Sequence, residues 1–527
     1  MSVKRTRRMG PLQWKWWKRQ IFLLHRWLGI VLCLFFAAWF VSGIFMMYVE
    51  YPQLDKQERL SGAQALNFST AGINAAEAVA KLSAADYECN ATLREILCSP
   101  SASPAVPIIA ERVRLAMLLG RPVYYVKALG TARSRGVFAD NGEILEIANS
   151  TLGERVSQNF YSRLHGNSIS PQVHFLGMVQ TDQWTLSSSL NAHRPLLHFA
   201  LEDDKRTELY VSSTTAEVVR DSSKNERVLN YFAAVTHWLY PTVLRKFPNA
   251  WAWVVDIVAS LGVLLSITGL WIGWLRWKRK PKPGKPAIPY KGIMRWHYIT
   301  GVLFGVVTLT WVFSGLLSIN PGKYNPSRSP NSEQRQLFTG TEQPVLVDAF
   351  PLLSPRFPKT AISAELVHFN GRALYRIVNR NGRQQQLDAL TGEEFIADVD
   401  VLKRLARKLL PEEDIINIDL MKNYDNYYFS RHPERGGKPL PILRVIFGDD
   451  DNTWFHIDST SGELLEKSTS VNRVYRWLYN GLHSWDILWL WERRPLWDIA
   501  VICFSLGGFS LSLLGVVVGW RRLRQSV

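Results

Sequence analysis

Long apolar runs alternate with mixed segments along this chain. The runs cover residues 22–48, 251–275, 297–319 and 497–520. Each reaches or exceeds the roughly 20 residues that carry a helix across a hydrocarbon core of about 30 Å, so four membrane-spanning helices are predicted. The first run is too long for the apolar part of a cleaved leader, and no A-x-A site follows it directly. The intervening segments, 49–250 and 320–496, have a shorter rhythm. Residues 121–128 and 374–379 are rich in β-branched and aromatic residues and read as strands, the second running into a hairpin signal at Asn381-Gly382. Residues 401–410 read as an amphipathic helix, and 440–447 with 454–458 as two strands and a turn. The pattern predicts a membrane protein with four transmembrane helices in two pseudo-symmetric repeats, each repeat carrying one external α+β domain.

The halves repeat one another at residue level. A shift of 246 positions carries Pro195 onto Pro441, Asp203 onto Asp449, Thr207 onto Thr453, Glu217 onto Glu463, Arg227 onto Arg473 and His237 onto His483, with no gap between. The leading runs align at a shift of 272: His25 on His297, Gly29 on Gly301, Trp39 on Trp311, Ser42 on Ser314, Gly43 on Gly315.

Charge fixes the expected orientation. The net charge of +17 would suggest nucleic acid, but much of it lies beside the apolar runs. Basic residues crowd segment 1–21, eight Lys or Arg fall between Arg276 and Arg295, and Arg521, Arg522 and Arg524 close the chain. This is the positive-inside pattern, with attraction to anionic membrane lipids; no nucleic-acid partner is expected. Segments 1–21, 276–296 and 521–527 are then expected to be cytoplasmic, and 49–250 and 320–496 to lie outside, which in a bacterium is the periplasm of the inner membrane. The 276–296 linker is too short for a nucleotide or flavin domain, and neither GxGxxG nor a Walker motif occurs. Cys33 and Cys503 fall inside spans and read as packing residues. Cys89 and Cys98 can form a disulfide in an oxidising compartment. There is no CxxC and no CxxCH, which excludes covalent c-type haem attachment.

Histidine carries the candidate chemistry. His25 and His297 stand at the cytoplasmic ends of the first and third spans, and His237 and His483 just before the second and fourth. A lone histidine at a membrane boundary usually hydrogen-bonds lipid or backbone. Four at equivalent positions are another matter, because polar groups in membranes are costly and usually functional, and a neutral imidazole is the commonest metal ligand. Topology pairs His25 with His297 and His237 with His483, one ligand from each half. The internal two-fold supplies the opposed approach that a bis-histidine b-type haem needs, so two haems b per chain are expected. The outer histidines precede their apolar runs by about a dozen residues, so those helices should extend outward or tilt to reach them. Arg26 and Arg295 beside the inner pair, and Arg227 and Arg473 before the outer pair, can take haem propionates or anchor to lipid phosphate. Gly29, Gly43, Gly301, Gly305 and Gly315 make room either for close helix packing or for a porphyrin. Most tryptophans flank spans as an interfacial belt. Asp256 and Asp498 begin the second and fourth spans and either cap them or form a proton or quinone site.

The motifs resemble a known family. His25-Arg-Trp-Leu-Gly, Asp388-Ala-Leu-Thr-Gly-Glu393, Asp458-Ser-Thr-Ser-Gly-Glu463 and the Arg-x(9)-His lead-ins to the second and fourth spans are similar to those of PepSY-associated transmembrane proteins. Asp182-Gln-Trp-Thr and Asp425-Asn-Tyr-Tyr look like markers of a subfamily. The resemblance covers nearly the whole chain. It implies PepSY-like external domains and, in some members, inner-membrane haem proteins that reduce imported ferric siderophores. The expectation is a dihaem b-type cytochrome that takes electrons from quinol or another donor and passes them to a ferric siderophore or other periplasmic acceptor, with room for a homodimer. The rival is a non-enzymatic PepSY sensor or peptidase-modulating protein, which needs no cofactor. The first copy departs from the pattern at Thr214-Thr-Ala-Glu217, where Ala216 replaces glycine, so a looser turn is expected there.

Overall fold

The computed structural model describes residues 11–67, 71–87, 108–166, 171–277, 288–340, 357–431 and 437–525; Cys89 and Cys98 lie outside them. The chain forms two compact units. One gathers residues 1–51, 228–326 and 471–527, and the other residues 52–227 and 327–470.

The first unit contains four helices long and apolar enough to span a membrane: α1 (Pro11–Met46), α2 (Pro248–Arg276), α3 (Gly292–Leu317) and α4 (Leu496–Arg524). They are apolar on nearly every face, and large side chains such as Val31, Leu34, Leu303 and Val306 stay exposed, as lipid-facing residues do. Pro248 starts α2, where a missing N–H costs nothing. Arg521, Arg522 and Arg524 close α4, where cations suit the helix dipole. Helix α1 packs against α2 and α4, and α3 packs against the same two, so the bundle is a ring in which the leading and returning helices of the two repeats alternate. Glycines set the closeness: Gly262 lies under Phe36 and Val312, Gly507 under Phe304, and Gly508 under Phe40.

The chain does not reach the outer histidines by lengthening α2 and α4, contrary to the sequence expectation. His237 closes a separate helix, Ala234–His237, and the chain turns through residues 238–247 before α2 begins. His483 lies on the short helix Leu482–Ser484, behind a π-helical turn at Trp477–Gly481 and ahead of a left-handed Trp485. A tightly wound detour, rather than a tilt, carries each imidazole back to the bundle.

Among the described residues, the second unit holds three antiparallel sheets. Strands β4 (Val173–Val179), β5 (Leu196–Leu201), β6 (Glu208–Ser212) and β7 (Val218–Ser222) form one meander. Strands β12 (Ile415–Met421), β13 (Ile442–Phe447), β14 (Trp454–Asp458) and β15 (Leu464–Ser468) form its counterpart in the second copy. The third sheet has seven strands: β1 (Ala110–Leu118), β2 (Arg121–Ala128) and β3 (Ser134–Phe138) from the first copy, and β8 (Ala361–Phe369), β9 (Arg372–Asn379), β10 (Gln384–Asp388) and β11 (Glu394–Phe395) from the second. The copies meet at β1 and β8, where Val113 faces Leu366 and Leu115 faces Ala364. The two external domains predicted from sequence are thus joined through one continuous sheet. Strand alternation serves two cores. Val113 and Leu115 enter the core that includes Ala78 and Leu82, while Ala116 and Leu118 enter the core shared with β5 and β6.

Candidate functional site

Each of the four histidines rests against a helix of the bundle, and the contacts repeat. His237 places its Nδ1 3.2 Å from the Trp39 carbonyl and 3.1 Å from the Ser42 hydroxyl of α1. His483 makes the same contacts with Trp311 and Ser314 of α3, at 3.2 and 3.1 Å. His25 reaches the Leu265 carbonyl of α2 at 3.2 Å. A carbonyl only accepts, so these three rings carry their proton on Nδ1 and the lone pair on Nε2. Fixing one nitrogen on a carbonyl is how proteins orient a metal-ligating imidazole. The equivalent partner of His297 is Leu511 of α4, but its buried Nδ1 makes no hydrogen bond among the described residues.

Under every ring lies a glycine. A Cβ at Gly269 would stand 2.8 Å from the His25 ring, at Gly43 3.4 Å from His237, at Gly315 3.5 Å from His483, and at Gly515 3.7 Å from His297. Sequence reading named Gly43 and Gly315 but not Gly269 or Gly515. The missed signal was the 246 shift itself, which continues past the outer histidines and maps Gly262, Leu265, Ser266, Gly269, Gly273 and Trp274 onto Gly508, Leu511, Ser512, Gly515, Gly519 and Trp520.

The predicted pairs come together. The rings of His237 and His483 have centroids 6.0 Å apart. An imidazole nitrogen sits about 2 Å from a metal it binds, so two rings on opposite sides of one iron need a separation of roughly 6 Å. His25 and His297 both line one cavity of about 980 Å³ among the four helices, near the upper end of the roughly 300–1,000 Å³ usual for ligand sites. Its walls are apolar, with Gly29, Gly301 and Gly305 among them, and its rim is basic, with Arg19, Arg26, Lys291, Arg521 and Arg522. The buried Nε of Arg26 has no hydrogen-bond partner among the described residues. Trp39 and Trp311 fall inside the bundle rather than in an interfacial belt, and each buries an indole N–H with no partner among the described residues. Orphaned donors and glycine-floored rings fit a flat, carboxylate-bearing ligand.

The arginines divide. Arg26 lines the cavity, whereas Arg295 is exposed on α3 and is not part of its wall. Arg227 is committed elsewhere, donating to the carbonyls of Ser222 and Arg206 and pairing with Glu208 at 3.1 Å. Arg473 is half-buried on the helix Ser470–Arg476. One turn on, the buried Arg476 donates to the Asp486 carbonyl. Asp498 stands in the first turn of α4, bound by Arg494 and the Tyr48 hydroxyl, as an anchoring acid would be. Asp256 does not cap α2, because that helix starts eight residues earlier at Pro248. Its Oδ1 is buried without a partner among the described residues.

Four spanning helices in a duplicated ring, paired histidines and external sheets define a histidine-bearing membrane protein with PepSY-type architecture. The chain belongs to the PepSY-associated TM region family, whose model matches residues 22–522. No curated protein matches it.

Proposed function

We propose that the protein is a b-type dihaem cytochrome of the bacterial inner membrane that delivers electrons to a ferric chelate in the periplasm, as in siderophore-iron acquisition. The observation that carries this reading is the His237/His483 pair: two rings from opposite repeats, 6.0 Å apart, each held through Nδ1 by a backbone carbonyl. Haem b, when bound, supplies reversible one-electron exchange at its iron. The chain's part would be to hold the group through the His237 and His483 imidazoles, to floor each imidazole with a glycine, and to keep water away with Phe36, Phe40 and Trp311. At the other pair, Arg19, Arg26, Lys291 and Arg521 are placed to hold carboxylates. Quinol or another reductant is the donor. The acceptor gains one electron as its Fe(III) becomes Fe(II), which hard oxygen ligands hold less tightly.

The test is an oxidised-minus-reduced optical spectrum of purified full-length protein with haem counted per chain, followed by anaerobic mixing of the reduced protein with a ferric hydroxamate and trapping of Fe(II). Two haems and stoichiometric Fe(II) are expected. A colourless protein from haem-replete cells would overturn the reading.

A further inference from the structure

The external unit contains a second cavity, of about 660 Å³, with no part in the histidine sites. Its floor is the seven-stranded sheet beside the β1–β8 seam. Alternation along β1 turns Arg112 and Arg114 to this face, and the pairing of β1 with β2 sets Tyr125 and Lys127 beside them. Its walls come from the helix Lys56–Gly62, the helix Ser150–Leu164 and the turn between β6 and β7.

Charge in this cavity is unbalanced. Arg114 is paired with Glu217, Arg112 with Glu365 and Lys127 with Glu111. Lys56 and Arg59, one turn apart on the helix above, make no ion pair among the described residues. Glu217 is the one acidic residue in the wall among the described residues. The Oγ1 of Thr215, a residue only 2% exposed, is buried at the same cavity with no hydrogen-bond partner among the described residues. A buried hydroxyl without a partner costs free energy unless something fills the role. Two cations without an ion pair and an orphaned donor lining one cavity suit a small ligand with at least two negative oxygens.

We propose that this cavity binds a small polycarboxylate anion, either free or as its ferric chelate, with Lys56 and Arg59 meeting its carboxylates and Thr215 donating to one oxygen. The ferric form rests on the function proposed above; the anion site does not.

The experiment is titration calorimetry on the full-length protein in detergent, with citrate and with gallium(III) citrate, which copies the ferric complex and cannot be reduced. Saturable binding of at least one is expected, weakening as salt rises. Lys56→Glu with Arg59→Glu should weaken it about tenfold or more, and Thr215→Val should weaken it several-fold, while any haem spectrum stays as in the parent. Binding of gallium citrate alone assigns the chelate; binding of citrate alone, or of both equally, assigns the anion. No binding of either by the parent protein, or equal affinity in the charge-reversed variant, overturns the site. Because the readout needs neither haem nor reduction, a failed cytochrome reading leaves it standing, and the converse holds.

Discussion

Ala216 and Gly462 occupy the same turn in the two copies, and both adopt positive φ, 53° and 70°. The turn expected to be looser in the first copy is not: Ala216 N–H donates to Ser212 at 2.9 Å, as Gly462 N–H donates to Asp458 at 2.9 Å. Alanine therefore carries the cost of a left-handed conformation, about 1 kcal/mol. Its fully buried methyl returns a similar amount, about 0.8 kcal/mol. Ala216→Gly should then shift the melting temperature of the full-length protein little. Gly462→Ala should cost about 2 kcal/mol or more, because it adds backbone strain and drives a Cβ into the Phe369 ring. Equal melting temperatures for the two variants would contradict this account. The same logic applies under His25. Gly269→Val must displace that imidazole, so, if the site holds haem as proposed, it should halve the haem content with unchanged far-ultraviolet dichroism, the external unit staying folded.

Strands β13, β14 and β15 carry a buried polar chain built from different residues than the polar contacts on their counterparts β5, β6 and β7. Arg444 pairs with Asp425 and donates to Nε2 of His456 at 2.9 Å, and His456 Nδ1 lies 3.3 Å from Glu466, which also takes Lys438 at 2.8 Å and Arg328 at 3.1 Å. In the first copy the aligned residues are His198, Tyr210 and Arg220, and Tyr210 donates to Asp182 at 2.7 Å. Burial alone would raise the Glu466 carboxyl, but His456, Lys438 and Arg328 outweigh it and hold it down to about 2. A carboxylate whose folded pKa lies below its unfolded value near 4.5 adds stability above that pH and loses it as the pH falls toward 2. The contribution is on the order of 2–3 kcal/mol. Glu466→Gln should therefore lower the melting temperature at pH 7, and the gap to the parent should close between pH 4.5 and pH 2. A gap independent of pH would rule out the ionised form as the source. These elements show what a sequence reveals. Strands 121–128 and 454–458, the helix near 401–410 and all four spans follow from local periodicity. The β1–β8 junction and the detours that bring His237 and His483 back to the bundle do not, because they are set by contacts between residues far apart in the chain.

At the scale of the whole molecule, duplication makes the two histidine pairs separate experiments. His25 and His297 belong to α1 and α3 and lean on α2 and α4; His237 and His483 precede α2 and α4 and lean on α1 and α3. Each pair thus takes one histidine from each repeat, and no histidine belongs to both. The pairing in space was legible in the sequence from topology alone, since histidines at like ends of like spans face each other in a two-fold ring. The carbonyls that hold three of the rings were not, because they lie on helices distant in sequence, and Gly269 and Gly515 were missed for the same reason. If each pair holds one haem, His25→Ala should halve the haem content and leave one spectral component, His237→Ala should halve it and leave the other, and the double variant should retain none. Either single variant should then abolish reduction of an external ferric chelate by a donor on the opposite side of the membrane in sealed vesicles, since one haem near one face cannot complete a path across a core of about 30 Å. Complete loss of haem in one single variant would mean that the pairs fold as one site. Unchanged transmembrane reduction in His25→Ala would mean that electrons enter without passing the basic-rimmed cavity.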